Sequence, residues 1–265
     1  MIDFNSKINE INSMLKNVLP NFNMGMGINN EMFDKIKDKL PAAMQNVNFN
    51  LWEDTVKLQN QFNENTVSGW KEKKLDWYMA MLDEWVEILN SFNWKWWKDT
   101  NKEGEVNFQN IEVELVDLFH FLLSKAIEEK RTDFFFSIIL AFSGMQSTQY
   151  IDNPQLLKEK VRKEAIPMTS FEVLEILLVI WADLWFKINK SFDDLMKWYR
   201  VKNALNIIRQ KFGYKEGKYI KKWGDVEDNV IAWKIAEELE LDENMFNNLI
   251  QKLEQYYLTN VLGGF

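Results

Sequence analysis

The chain has 265 residues, 46% of them hydrophobic and 14% aromatic, enough apolar side chain for one sizeable core and too much for a disordered protein. Its formal net charge of −8 excludes binding a nucleic-acid polymer by broad phosphate neutralisation, whereas a small anionic ligand needs only a local basic cluster. With no cysteine there is no disulfide framework and no thiolate metal site, which suits a reducing, cytoplasmic setting and leaves metal chemistry to oxygen ligands.

Ten glycines and four prolines leave long uninterrupted stretches, so the predicted fold is all-α. The start, MIDFNSKINEINSMLK, lacks the basic opening and apolar run of a secretory signal. Phe4, Ile8, Ile11, Leu15 and Val18 form one apolar seam of a helix that ends near Pro20. One short seam cannot stand alone and must dock on the body or on a partner chain. Asn21 to Asn30 reads as a linker, and a short helix from Glu31 to Leu40 stops before Pro41. Residues 1–50 are thus an N-terminal helical extension of unknown role, ahead of a domain over 51–265. Within that domain, amphipathic stretches at about 51–63, 70–92, 108–130 and 170–212 predict a four-helix bundle with extra helices. Between the last two, 131–170 carries the aromatic run FFFSIILAF and the charged run KEKVRKE, a candidate mobile helical segment. The apolar stretch Val173 to Phe186, interrupted by Glu175 and Asp183, is too short to span a bilayer and reads as a core helix. Gly213 suits a helix C-terminal cap; a basic loop of 16 residues, YKEGKYIKKWGDVEDN, leads from it into a final helix pair over 230–259.

Two carboxylate pairs stand out. Glu84 and Glu87 lie three apart in EWVEILNSF, and Glu114 and Asp117 lie three apart in EVELVDLFHF, so each pair projects from one helix face. Four carboxylates from two facing helices can make an oxygen-lined cage for a hard divalent cation such as magnesium. Polar residues at this spacing also mark the solvent face of any amphipathic helix. The second pair says more, because between Leu115 and Leu123 the only polar residues are Asp117 and His120, and an isolated charge is costly to bury without a partner or a metal. His120, one turn beyond Asp117, reads as a supporting hydrogen-bonded residue rather than a ligand. The cluster Trp94 to Lys98 is either packing or a surface on which an indole meets a nucleobase. Lys202, Asn206 and Arg209 share a helix face ahead of a lysine-rich loop. That local basic excess is either a solvated surface or a polyphosphate contact.

In the same order and wording, KLQNQFN at 57–63, EWVEILNSFNWKWWK at 84–98, EVELVDLFHF at 112–121 and KNALNIIRQKFGYKEGKYIKKWGDVEDN at 202–229 resemble the dimeric, all-helical dUTPases. The carboxylate pairs are common to a wider superfamily of all-α nucleoside triphosphate pyrophosphohydrolases that includes MazG-type enzymes. The resemblance implies a homodimeric magnesium-dependent hydrolase that converts dUTP, and dUDP as a further substrate, to dUMP. Two or more magnesium ions would be held by Glu84, Glu87, Glu114 and Asp117, with Glu84 or Glu87 taking a proton from metal-bound water. It puts Gln59, Asn63 and Trp96 against the base, and Lys98, Lys202, Asn206, Arg209, Tyr214, Lys215 and Lys221 at phosphate and sugar positions. An amide suits uracil because one carboxamide matches the N3 donor and a neighbouring carbonyl, leaving cytosine with a mispaired edge. Asn90 stands where many members have Asp and is left outside the predicted site. Residues 1–50 and 131–170 match nothing in the family. The competing readings are an enzyme that accepts dCTP as well as dUTP, and a protein-binding module that uses the N-terminal extension.

Overall fold

A computed structural model of the chain describes residues 4–20, 22, 25, 27–45, 47–95, 97, 105–145, 150–170, 173–188 and 190–263. Apart from one two-stranded hairpin, its regular elements are helical, as the scarcity of glycine and proline predicts. The chain divides into two compact units, residues 1–192 and 193–265.

The first unit opens with α1 (Phe4–Val18), α2 (Asn30–Ile36), a 3-10 turn at Lys37–Lys39, and α3 (Ala42–Gln45). Then come α4 (Phe49–Thr66), α5 (Trp77–Asn90), α6 (Phe108–Glu128), α7 (Thr132–Gly144), α8 (Pro154–Ser170) and α9 (Leu174–Lys187). Local chemistry sets several starts. Asn48, Asp76 and Asn107 each accept a hydrogen bond from a first-turn amide of α4, α5 and α6, satisfying donors that a helix N-terminus leaves orphaned. The expected helix over 70–92 begins later, at Trp77, after a separate 3-10 turn at Trp70–Glu72.

α6, α7 and α9 form the centre. From Phe134 to Ser143 every residue of α7 is buried, so the aromatic run is a core helix enclosed on all sides. Phe119 of α6, Phe135 of α7 and Trp181 of α9 meet with ring centroids 5.1–5.8 Å apart, in the tilted and edge-on arrangements that aromatic quadrupoles favour. Trp181 also donates its indole N–H to the Leu115 carbonyl at 2.8 Å, tying α9 to the turn of α6 that carries Glu114 and Asp117. Among the described residues no helix is long and apolar enough to cross a membrane.

Residues from the first fifty join this core. Ile11 and Leu15 of α1 are fully buried, and α1 packs on α7 and α9 of the same chain. Side chains of Phe4 and Val18, the ends of the expected seam, lie outside the described residues. Phe33 and Phe49 pack on Phe136 with centroids 5.5 and 4.6 Å away. Gly27 fixes the approach: its φ is +70°, Ile28 N donates to Asp133 O at 3.1 Å, and a Cβ at Gly27 would collide with the backbone of Asp133 and Phe134. Backbone cannot step aside as a flexible side chain can, so Gly27→Ala combines a left-handed strain with an overlap. Urea unfolding of this variant is expected to show a loss of about 2 kcal/mol or more; wild-type stability would contradict the contact.

A single helix over 170–212 is not found. α9 ends at Lys187 and α10 (Phe192–Lys211) begins anew. Asp193 and Asp194 in the first turn of α10 favour a helix start through the local dipole, a signal hidden inside a long periodic stretch.

The second unit contains most of α10, a short antiparallel hairpin of β1 (Lys222–Trp223) and β2 (Val226–Glu227), α11 (Asp228–Glu237), α12 (Met245–Tyr256) and a π-helical turn at Tyr257–Leu262. Gly213 closes α10 with φ +82°, the left-handed conformation of a C-terminal cap. The unit has its own core, in which Leu205, Ile208, Trp223, Leu249, Leu253 and Tyr257 are buried together.

Candidate metal centre and base-reading network

α6 folds back along α5: Asn107 N donates to Ser91 O at 2.9 Å and Asn93 Nδ2 to Glu105 O at 2.9 Å, so the end of α5 lies beside the start of α6. The long helix pair that results brings carboxylate oxygens of Glu84, Glu114 and Asp117 within 4.8 Å of one another. All three residues are half-buried. Magnesium holds its oxygens at about 2.0–2.1 Å, so two ligands of one ion stand roughly 3–4 Å apart. Three carboxylates at this separation therefore fit a hard divalent cation with room for further oxygens from water or phosphate. Glu87, one turn beyond Glu84, is exposed and stands outside this group of three.

Four buried polar side chains form a closed network between α4 and α6. Gln59 Nε2 donates to Asn63 Oδ1 at 2.9 Å and to Ser124 Oγ at 3.1 Å, and Asn63 Nδ2 donates to Ser124 Oγ at 2.9 Å. Ser124 Oγ donates to the His120 carbonyl at 2.7 Å, and His120 Nδ1 lies 2.7 Å from Gln59 Oε1. Gln59 and Ser124 are 2% and 0% exposed, while Asn63 and His120 are 7% and 6% exposed. Hydrogen bonding offsets the cost of burying these groups and rigidifies them.

Glu114, Asp117, His120 and Ser124 thus follow one another along one side of α6. At 1.5 Å per residue the stripe is about 15 Å long. At the other end of the helix pair, Asn90, Ser91, Asn93, Glu105, Val106, Asn107 and Asn110 line a cavity of about 560 Å³. Asn90 Oδ1 is buried there with no hydrogen-bond partner among the described residues.

Trp96 and Lys98 lie outside the described residues. Nearby Trp94 and Trp97 are exposed and stack edge to face at 5.3 Å.

The second unit holds the remaining basic residues. Lys202 is buried at 4% exposure. Arg209 forms a two-pronged pair with Asp228, Nε and Nη2 each 2.8 Å from a carboxylate oxygen, and its Nη1 donates to Asn206 Oδ1 at 3.3 Å. Asp228 is fully buried and also accepts from Tyr219 Oη at 2.9 Å. Burial, and then the Asp228 charge, push the Tyr219 hydroxyl far above its ordinary range, so it stays a donor. Tyr214 and Lys215 are exposed, and Lys221 pairs with Glu227 at 3.3 Å. The Asp228 anchor of Arg209 and the Ser124 hub of the amide network were not singled out from the sequence. Each depends on a partner many residues away, 19 for Arg209 with Asp228 and 61 for Ser124 with Asn63.

Fold and side chains together define an all-helical protein with a carboxylate cluster fitted to a divalent cation, and the comparisons agree with that class. A family model described as dUTPase matches residues 50–214, more than half of the chain, and the chain belongs to this all-helical dUTPase family. Membership carries the activity, hydrolysis of dUTP to dUMP and pyrophosphate. No curated protein matches the chain.

Proposed function

We propose that this hydrolysis depends on magnesium, two or more ions, held by Glu84, Glu114 and Asp117 with Glu87 beside them. The observation that carries the reading is the α6 stripe, where two carboxylates of a three-carboxylate cluster are followed by the buried amide network. Magnesium supplies neutralisation of phosphate charge and activation of a water. The three clustered acids orient the triphosphate through what they hold. Glu84 or Glu87, the latter outside the cluster and exposed, accepts the proton of the attacking water. Gln59 and Asn63, with Trp96, take the uracil. Lys98, Lys202, Asn206, Arg209, Tyr214, Lys215 and Lys221 serve phosphate and sugar, and the guanidinium held by Asp228 keeps the planar donor geometry that suits phosphate. In this reading the catalytic domain spans 51–265, residues 1–50 are an added extension, and the enzyme works as a cytoplasmic homodimer on deoxyuridine nucleotides.

Release of pyrophosphate from the four deoxynucleoside triphosphates and dUTP, with magnesium and then with excess EDTA, tests this. The expected result is turnover of dUTP well above the rest, abolished by chelation and restored by added magnesium. Equal rates for dCTP and dUTP would defeat the uracil reading, and full activity in EDTA would defeat the metal reading.

A further inference from the structure

We propose that Ser124 sets which pyrimidine the enzyme accepts, as a positioning residue that locks the Asn63 carboxamide in one of its two orientations. This rests on the reading of Gln59 and Asn63 as base contacts. A carboxamide turned by 180° exchanges its donor and its acceptor. The uracil edge offers a carbonyl acceptor at O4 beside an N3–H donor, and cytosine offers an amino donor beside an N3 acceptor, so the two bases match opposite turns of the same amide. An amide free to turn reads either base; a locked one discriminates.

Connectivity fixes the turn. Ser124 has one hydroxyl proton, and it goes to the His120 carbonyl at 2.7 Å. Toward the amides Oγ is therefore an acceptor only, and each amide must present nitrogen to it, Asn63 Nδ2 at 2.9 Å and Gln59 Nε2 at 3.1 Å. The other Gln59 amide proton goes to Asn63 Oδ1 at 2.9 Å. Turning Asn63 over would set its oxygen against the Ser124 lone pairs and its nitrogen against the Gln59 N–H. Gln59 cannot follow, because its Nε2 also faces Ser124 Oγ at 3.1 Å and turning it would set Oε1 against the same lone pairs; in the observed turn Oε1 lies 2.7 Å from His120 Nδ1.

The valences left over point the same way. Both amide protons of Gln59 are used within the network. Asn63 keeps one N–H that points away from the edge it shares with Gln59 and Ser124, a donor that meets uracil O4 and not the cytosine amino group. Asn63 at 7% exposure also reaches the surface more than Gln59 at 2% or Ser124 at 0%.

The test is kcat and KM for dUTP and dCTP with magnesium, in wild type, Ser124→Ala, Ser124→Thr and Asn63→Ala. Ser124→Ala is expected to narrow the dUTP to dCTP ratio of kcat/KM by roughly tenfold or more, as loss of a sorted polar contact does, and to do so through KM with kcat little changed. Ser124→Thr, which keeps the hydroxyl, is expected to hold the wild-type ratio. Ser124→Cys, which keeps the shape but offers only a weak acceptor, should narrow the ratio in the same direction, a check that survives if Ser124→Ala does not fold. A wild-type ratio in Ser124→Ala alongside a collapsed ratio in Asn63→Ala would overturn the lock while leaving Asn63 as a base contact. An unchanged ratio in Asn63→Ala, or no preference in wild type, would remove the base-contact reading and the lock with it.

Discussion

Asp117→Asn is expected to lower kcat/KM for dUTP by about a thousandfold or more, the scale of losing a preorganised charge at a phosphoryl-transfer site. The oxygens of Asp117, Glu84 and Glu114 lie within 4.8 Å of one another, so in the proposed reading each would carry part of a cation's coordination. Substituting a neutral amide removes a charge from that shell while keeping its shape. Partial recovery of the activity at high magnesium separates this from simple damage. Glu114→Gln and Glu84→Gln are expected to behave alike. Glu87→Gln, altering an exposed residue outside the group, is expected to lose powers of ten in kcat with little change in the magnesium concentration required. A triad variant with wild-type kcat/KM would contradict the assignment.

The largest expected effect on stability lies away from that site. Between α8 and α9, Lys160 bonds to both Glu164, at 2.6 Å, and Asp183, and Lys187 reaches Asp183 at 3.0 Å. The side chains of Glu164 and Asp183 are each 4% exposed. Burial by itself pushes the Asp183 carboxyl up, but Lys160 and Lys187 outweigh it and hold Asp183 below its ordinary range. For Glu164, burial wins over Lys160 and the carboxyl is raised. Removing one partner leaves an uncompensated buried charge, so Asp183→Asn is expected to cost about 3–5 kcal/mol in urea unfolding at pH 7. The pH dependence has a definite sign. A carboxyl whose folded pKa is depressed stabilises fully above its unfolded value, about 3.9 for Asp, and the contribution fades as pH falls through the lower folded value. The gap between wild type and Asp183→Asn should therefore shrink below about pH 4. A gap that widened on acidification would contradict the pairing.

Much of the fold can be read from the sequence because its signals are local. Periodicity and Gly213 locate most helices, and the apolar run before Phe186 reads as a core helix. The break between α9 and α10 was not legible, because Asp193 and Asp194 mark a helix start equally well as a polar turn within a longer helix. At the candidate site the i, i+3 carboxylate pairs are visible in the sequence. What periodicity cannot supply is which residues meet across elements: that Glu84, and not Glu87, shares a cluster with Glu114 and Asp117, or that Ser124 joins Gln59 to Asn63. Asp183 looked like a mere interruption of an apolar run because Lys160, its partner, is 23 residues away.

Cation uptake tests the account most directly, independent of turnover. Titrating Mn²⁺, as a spectroscopic stand-in for magnesium, into wild type and Asp117→Asn and counting bound metal by electron paramagnetic resonance should show saturable binding in the first and markedly weakened binding in the second. Equal uptake by both chains would mean that the acids on α5 and α6 do not hold the ion on which dUTP hydrolysis is proposed to depend.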